Sequence, residues 1–141
     1  MEEGRILAID YGEVRMGLAI SDPLRIFAFP LTVIDLKKNV DFIKTIQDII
    51  KEKEVKRIII GYPLKMDGSE GIQTEKVKGF VEELKGKINI DIEMVDERLT
   101  TTVAQRALTD IGIGQKKQRG IIDKIAAAKL LETYLELNKG K

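Results

Sequence analysis

Acidic residues placed where apolar elements begin or end have the greatest capacity for chemistry in this sequence. In residues 5–10, Asp10 follows four consecutive apolar residues, and Asp96 and Glu97 close a second apolar run. Asp123 points along the apolar stripe of the last predicted helix. Carboxylates that converge from separate elements repel one another unless a cation neutralises them. Oxygen ligands alone suit Mg²⁺ or Mn²⁺, which can activate water for phosphodiester hydrolysis. The pattern therefore favours a metal-dependent hydrolytic site.

Each of these acids also has a plain structural interpretation. Asp10 can simply form a turn, and Asp96 and Glu97 can be a solvated strand exit that pairs locally with Arg98. Asp123 can be a first-turn residue that the helix dipole favours. Because adjacent strand residues point to opposite faces, at most one of Asp96 and Glu97 can share a partner with Asp10. The residues alone leave both interpretations open.

The composition removes most other catalytic chemistry. The 141 residues include no His and no Cys, which excludes histidine bases, thiol nucleophiles, disulfides and zinc sites built from these residues. The 24 Lys and Arg residues balance 23 Asp and Glu residues, and 43% of the chain is hydrophobic, enough for a folded core. No apolar run approaches the roughly 20 residues of a membrane helix. We therefore expect a cytoplasmic protein that does not enter a membrane.

Basic and hydroxyl side chains near the acids would suit an anionic polymer. The threonines at 100–102 begin a predicted helix, where hydroxyls and unpaired N–H groups can bind phosphate. Tyr11 and Tyr62 could stack on bases or pack in the core. The basic residues could neutralise phosphates or be ordinary surface charges. The candidate contacts with nucleic acid are Arg15, Lys65, Arg98, Thr100, Thr101, Lys116, Lys117 and Arg119.

Hydrophobic periodicity predicts the elements that must position these side chains. Strands are predicted at 5–10, 14–20, 26–34, 57–61 and 88–95, and helices at 40–53, 72–84, 100–109 and 121–137. Residues 110–120 are predicted to form a mobile basic loop.

The order of these elements predicts an α/β fold. The first two strands are joined too briefly for anything but antiparallel neighbours, and the wholly apolar first strand belongs at the centre. Pro30 places the third strand at an edge. Helices and strands then alternate. We expect a five-stranded mixed sheet flanked by helices, in a single domain over residues 1–141.

Four motifs occur in a fixed order along almost the whole chain. They are D-Y-G-x-x-R-x-G-x-A-x-S-D at 10–22, G-Y-P-L-x-M-D-G-S at 61–69, D-E-R-x-T-T at 96–101 and D-x-x-A-A at 123–127. This series resembles the YqgF family of Holliday-junction resolvases, also described as pre-16S rRNA nucleases, within the RNase H-like superfamily.

The resemblance implies an RNase H-like fold and metal-dependent cleavage of structured nucleic acid. The acidic positions of the family fall on Asp10, on the pair Asp96 and Glu97, and on Asp123. Glu97 is favoured over Asp96 as the ligand to Mg²⁺ or Mn²⁺.

Two classes of function are consistent with the sequence. The first is an endonuclease, monomeric or homodimeric, that processes the 5′ end of pre-16S rRNA in ribosome biogenesis or resolves Holliday junctions. The second is a non-catalytic nucleic-acid-binding module, such as a ribosome-assembly or transcription factor.

The loop after the first strand also resembles the phosphate loops of sugar-kinase-like ATPases, which need two such domains. The best-characterised RNase H-like nucleases carry four acids, and Asp67 or Asp22 would have to supply the fourth here.

Overall fold

Strands and helices account for most of the residues that the computed structural model describes, which are 4–38, 41–62, 67–96 and 115–138, with 115–120 as helical backbone only. In chain order the elements are β1 (Arg5–Tyr11), β2 (Arg15–Ser21), β3 (Ala28–Asp35), α1 (Phe42–Lys53), β4 (Val55–Tyr62), α2 (Ile72–Lys85), β5 (Asp91–Asp96) and α3 (Gln115–Leu137). The strands form one sheet in the order β3-β2-β1-β4-β5. β1 pairs antiparallel with β2 and parallel with β4, and β4 pairs parallel with β5. The predicted mixed sheet of five strands is confirmed.

β1 lies at the centre of the sheet because it is apolar on both faces. Leu7 and Ile9 pack in a core that includes residues of α1 and α2. Ile6 and Ala8 pack on the other face, in a second core that includes residues of α3. A strand covered on both faces requires such a continuous apolar run. The sheet is therefore sandwiched between two helical layers.

α3 can approach the sheet closely because small residues face it. Its buried residues are Ala126, Ala127, Ala128, Leu130, Leu131 and Tyr134. The Tyr134 hydroxyl accepts a hydrogen bond from Arg57 of β4 at 2.8 Å and donates one to Glu93 of β5 at 3.1 Å. The first of these bonds raises the pKa of Arg57, which therefore keeps its charge. These polar contacts fix the C-terminal half of α3 across the sheet.

β3 is an edge strand, as Pro30 predicts. Pro30 has no N–H to donate, and the pairing register shifts beside it, between Leu18 and Ala19 of β2. β3 begins at Ala28, later than predicted. The preceding residues are instead held in a turn, where the Asp22 carboxylate accepts their N–H groups.

The predicted start of the last helix is wrong. α3 begins at Gln115, so the backbone of Lys116, Lys117 and Arg119 is helical and does not form a mobile loop. Gln, Lys and Arg all favour helix, and a glycine inside a helix costs only about 1 kcal/mol relative to alanine. Gly120 therefore does not end the helix, although it was expected to precede its start.

The last strand also starts later than predicted. β5 begins at Asp91, because the Ile88 N–H donates to the Leu84 carbonyl oxygen at 2.8 Å and so belongs to the turn that follows α2. The predicted helix at 100–109 lies outside the described residues. Within the described part of the chain, no helix is both long and apolar enough to cross a membrane.

Candidate active site at the carboxyl end of the central strand

Asp10 and Asp123 lie near each other because α3 crosses β2 in backbone contact. Asp10 pairs with Gly17 across β1 and β2. A Cβ built on Gly17 would lie only 1.9 Å from the Asp123 carbonyl oxygen, so the position requires glycine. Ile6 and Ala8 pack beneath α3, and strand alternation therefore points Asp10 to the same face. The structure brings these two predicted site residues together at one edge of the sheet.

Arg15 forms an ion pair with Asp123 inside this site. Its Nε donates to Asp123 Oδ2 at 2.7 Å, and the two side chains are only 29% and 21% exposed. Burial raises the pKa of the Asp123 carboxyl, and the bond from Arg15 offsets part of that rise. Arg15 was predicted to contact nucleic acid, and in the structure it pairs with Asp123, a candidate metal ligand. The site thus combines two carboxylates with one fixed cation.

Asp96 points away from Asp10. Val95 packs against the core on the α3 side of the sheet, so its neighbour Asp96 points to the opposite face. Asp96 lies beside Tyr62 in the register of β4 and β5. This orientation disfavours Asp96 as a partner of Asp10. Glu97 lies outside the described residues, and among those that are described no group of at least three acidic side chains could hold a metal ion.

Both candidates for a fourth acid bind backbone N–H groups in turns. Asp22 follows β2, which runs antiparallel to β1, so it lies at the opposite edge of the sheet. Its carboxylate accepts the N–H groups of Leu24, Ile26 and Phe27 at 3.2, 2.8 and 2.7 Å. Asp67 is exposed in the turn before α2, where its carboxylate accepts a hydrogen bond from the backbone N–H of Ser69 at 2.9 Å. Both carboxylates stabilise turns.

Apart from Arg15, the predicted nucleic-acid contacts divide into two groups. The backbone of 116–119 lies in the first turns of α3, which extend from Asp123 beyond the site. The remaining candidates lie outside the described residues and are Lys65, Arg98, Thr100 and Thr101.

The turn between β1 and β2 is anchored on α2. Tyr11 stacks on Phe80 of α2, with ring centroids 4.4 Å apart, so this tyrosine packs against the core. Glu13 accepts hydrogen bonds from Lys76 and from Gln73, and these bonds lower the pKa of Glu13. The turn that follows Asp10 is thereby held against α2 at two points.

A second polar cluster holds the segment before α2. Tyr62, the last residue of β4, donates its hydroxyl proton to Glu70, and Lys78 donates to the same carboxylate at 2.6 Å. The bond from Lys78 lowers the pKa of Glu70, and the bond to Glu70 raises the pKa of Tyr62. The tyrosine hydroxyl therefore holds the segment that precedes α2.

Sequence reasoning missed the positioning roles of Gly17, Glu13 and Glu70. A glycine inside an alternating strand is a signal of close backbone approach, and it could have predicted the contact at Gly17. The bonds of Glu13 carried no such signal, because Lys76 is 63 residues away in the chain. Contacts of this kind depend on how α2 docks.

A mixed sheet in this strand order, with helices on both faces and two carboxylates where α3 crosses the central strands, is typical of the RNase H-like fold. The structure is similar to that of T. thermophilus RuvC in complex with Holliday junction substrate, with a TM-score of 0.60, 12% sequence identity and 98% of each chain covered. At that identity the likeness is one of fold.

Sequence comparison identifies the family. Residues 4–137 match RuvX, described as Holliday junction resolvase. The chain is 43% identical over 131 residues to a "Putative pre-16S rRNA nuclease" of Clostridium acetobutylicum, covering 93% of this chain and 97% of that protein. It is 42% identical over 132 residues to a protein of the same name from Dictyoglomus thermophilum, covering 94% and 95%. The chain belongs to the RuvX family, which confirms the resemblance to YqgF.

Proposed function

We propose that this protein is a metal-dependent endonuclease that cleaves phosphodiester bonds in structured nucleic acid. The observation that carries the proposal is the convergence of Asp10 and Asp123 across Gly17, at the carboxyl edge of the central strand. Membership of the RuvX family and the nuclease names of close relatives support it. The catalytic residues we propose are Asp10, Glu97 and Asp123.

The residues of this edge suit a hard divalent cation. Asp10 and Asp123 are both partly buried carboxylates, and oxygen ligands are those that Mg²⁺ and Mn²⁺ prefer. Because Asp96 points to the other face of the sheet, we propose Glu97 as the third ligand. When bound, such an ion supplies an activated water and stabilises the leaving oxygen. The chain itself holds the carboxylates of Asp10 and Asp123 in place.

The substrate we favour is the precursor of 16S rRNA, cleaved near its 5′ end, since two close relatives carry that name. This substrate implies a cytoplasmic site of action. The family description makes a four-way DNA junction the other substrate to test. Lysines and arginines would neutralise the phosphate backbone and so position a shaped substrate. Those proposed are Arg15, Lys65, Arg98, Lys116, Lys117 and Arg119, with Thr100 and Thr101 as hydroxyl donors.

We treat residues 1–141 as one catalytic domain. Cutting of a symmetric four-way junction would require two such domains related by a two-fold axis, whereas processing of one RNA end requires one. The oligomeric state in the presence of each substrate therefore belongs to the same test.

Single-turnover cleavage of both substrates with Mn²⁺ tests the proposal. We expect cleavage by the native protein and its loss in Asp10→Asn. Asp48→Asn is the matched control, because Asp48 is an exposed acid of α1 that pairs with Lys44, and this variant should cleave normally. Binding of both substrates without cleavage, or cleavage that survives Asp10→Asn, would contradict the proposal.

A further inference from the structure

Arg15 brings a permanent positive charge to the site. It is the first residue of β2 and shares a face with Gly17, so its side chain extends along the surface that α3 covers. Its Nε–H bond to Asp123 Oδ2 is 2.7 Å long, and both side chains are less than one-third exposed. A guanidinium stays protonated at all relevant pH values. Arg15 is therefore a fixed cation that solvent screens only partly.

The bond between Arg15 and Asp123 uses one hydrogen-bonding group of each side chain. In the described part of the chain, the Nε–H is the one guanidinium group of Arg15 with a hydrogen bond, and Oδ2 is the one oxygen of Asp123 that accepts one. A single N–H bound to a single oxygen restrains the position of that oxygen. Oδ1 is then left for another ligand, the arrangement common among carboxylates that hold metals.

Two carboxylates brought this close destabilise the fold unless a cation compensates them. Asp10 and Asp123 cannot separate, because the backbone contact at Gly17 fixes α3 against β2. Arg15 is bound to Asp123 of this pair. It can therefore compensate the charge of Asp123 before any metal arrives.

We propose that Arg15 is a positioning residue that balances the charge of Asp123 in the metal-free protein and thereby limits how tightly the site binds a divalent cation. The inference rests on the proposed function, because it takes Asp10 and Asp123 as metal ligands. Arg15 and the metal are two cations at one carboxylate, so each weakens the binding of the other. That coupling is reciprocal.

The consequence is opposite to that of an ordinary structural ion pair. Loss of a structural pair lowers stability and leaves metal affinity unchanged or reduced. Loss of the Arg15 charge should lower the stability of the metal-free protein and raise its affinity for metal. A coupling of usual size corresponds to a change in affinity on the order of tenfold.

The test measures Mn²⁺ affinity by isothermal titration calorimetry, and the melting temperature without metal, for the native protein, Arg15→Gln and Arg15→Lys. Gln keeps an N–H donor and removes the charge, whereas Lys keeps the charge. We expect Arg15→Gln to melt at a lower temperature without metal and to bind Mn²⁺ on the order of tenfold more tightly. Arg15→Lys should bind Mn²⁺ with nearly native affinity.

Arg57→Gln is the matched control. Arg57 also pairs with carboxylates, those of Asp91 and Glu93, but it lies near the start of β4, far from the carboxyl edge. Its loss should lower stability and leave Mn²⁺ affinity unchanged. Arg15→Met, which keeps the apolar stem, replaces the Gln variant in the comparison should that variant not fold without metal.

The outcomes distinguish a failure of the inference about Arg15 from a failure of the proposed metal site. Equal or weaker Mn²⁺ binding by the uncharged Arg15 variants, with binding by the native protein intact, would overturn the inference about Arg15 alone. An absence of Mn²⁺ binding by the native protein and by every variant would instead overturn the metal site of the proposed function.

Discussion

Gly17 is the residue on which the geometry of the site depends most. The strand register places it beside Asp10, and the helix backbone at Asp123 occupies the space that a side chain would need. The site therefore arises from a contact between two backbones. A contact of this kind is rigid, which suits the placing of carboxylates within the tolerance that catalysis requires.

Substitution of Gly17 by alanine should displace α3. The new Cβ would lie 1.9 Å from the Asp123 carbonyl oxygen and 2.8 Å from the Lys124 nitrogen. Both are backbone atoms of one helix, so relief requires movement of the whole element. We expect a loss of about 3 kcal/mol or more in the free energy of unfolding, together with loss of cleavage. Urea denaturation measures the first effect.

Gly79→Ala is the control for Gly17→Ala. Gly79 is exposed in α2, and a Cβ there would meet nothing within 4 Å. Alanine favours helix over glycine by about 1 kcal/mol, so this variant should be slightly more stable than the native protein. A Gly17→Ala protein of native stability would refute the close packing of α3 on β2.

The sequence indicated Asp10 and Asp123 as candidates for one site but did not indicate their surroundings. Both acids interrupt an apolar pattern, and that is a local signal. The bond between Arg15 and Asp123 joins residues 108 apart in the chain, and no local pattern encodes it. Partners of this kind follow from the path of α3, which periodicity does not define.

At the level of elements, the turn between β2 and β3 depends on Asp22. Partial burial pulls its pKa upward, but the N–H groups of Phe27, Ile26 and Leu24 outweigh that effect and leave the pKa of Asp22 below its ordinary value. A carboxylate with a lowered pKa stabilises the fold at any pH above its unfolded value, near 3.9. That stability is lost as the pH falls through the lower, folded value.

Asp22→Ala should therefore destabilise the protein in a pH-dependent way. At pH 7 we expect a loss of about 1–2 kcal/mol in the free energy of unfolding, the usual effect of removing a side chain that caps backbone N–H groups. The difference from the native protein should shrink near pH 3. Asp22→Asn keeps an acceptor and should lose less. Urea denaturation at both pH values would count against this role if the Ala variant matched the native protein, or if the gap did not change with pH.

The helices and strands could be predicted from the sequence where a local rule determines them. The apolar run of β1 required a central strand, and Pro30 required an edge, and both are found. The predicted start of α3 was wrong because Gly120 was given more weight than the strong helix formers that precede it. Glycine is a weak signal within a helix whose remaining turns are held by packing.

For the whole molecule, the net charge is near neutral although acidic and basic residues are unevenly distributed. The chain has 24 basic and 23 acidic residues, yet Asp10 and Asp123 lie at one sheet edge, and the backbone of two successive lysines, Lys116 and Lys117, lies in the helix that leads to it. A balanced total is therefore compatible with a polyanionic substrate. The absence of His and Cys is likewise compatible, because carboxylate ligands to a hard cation require neither.

Substrate binding should weaken steeply with salt. Each phosphate neutralised contributes about −0.9 to the slope of log affinity against log salt for duplex DNA. Replacing Lys116 and Lys117 together by Gln should lower affinity and make the slope shallower by about 1–2. Fluorescence anisotropy at several salt concentrations measures both. The matched control replaces the exposed Lys44 and Lys51 of α1; an equal effect there would refute a specific role for the start of α3.

The central claim, that Asp10 and Asp123 together hold one divalent cation, is tested most directly by the thermal stability of the protein with and without Mn²⁺. At a hundredfold excess over Kd, a bound ion adds about 2.7 kcal/mol to the native state. We predict a clear rise in Tm for the native protein and for Asp48→Asn, and none for Asp10→Asn or Asp123→Asn. An undiminished rise in either of the last two variants, or no rise in the native protein, would contradict the account.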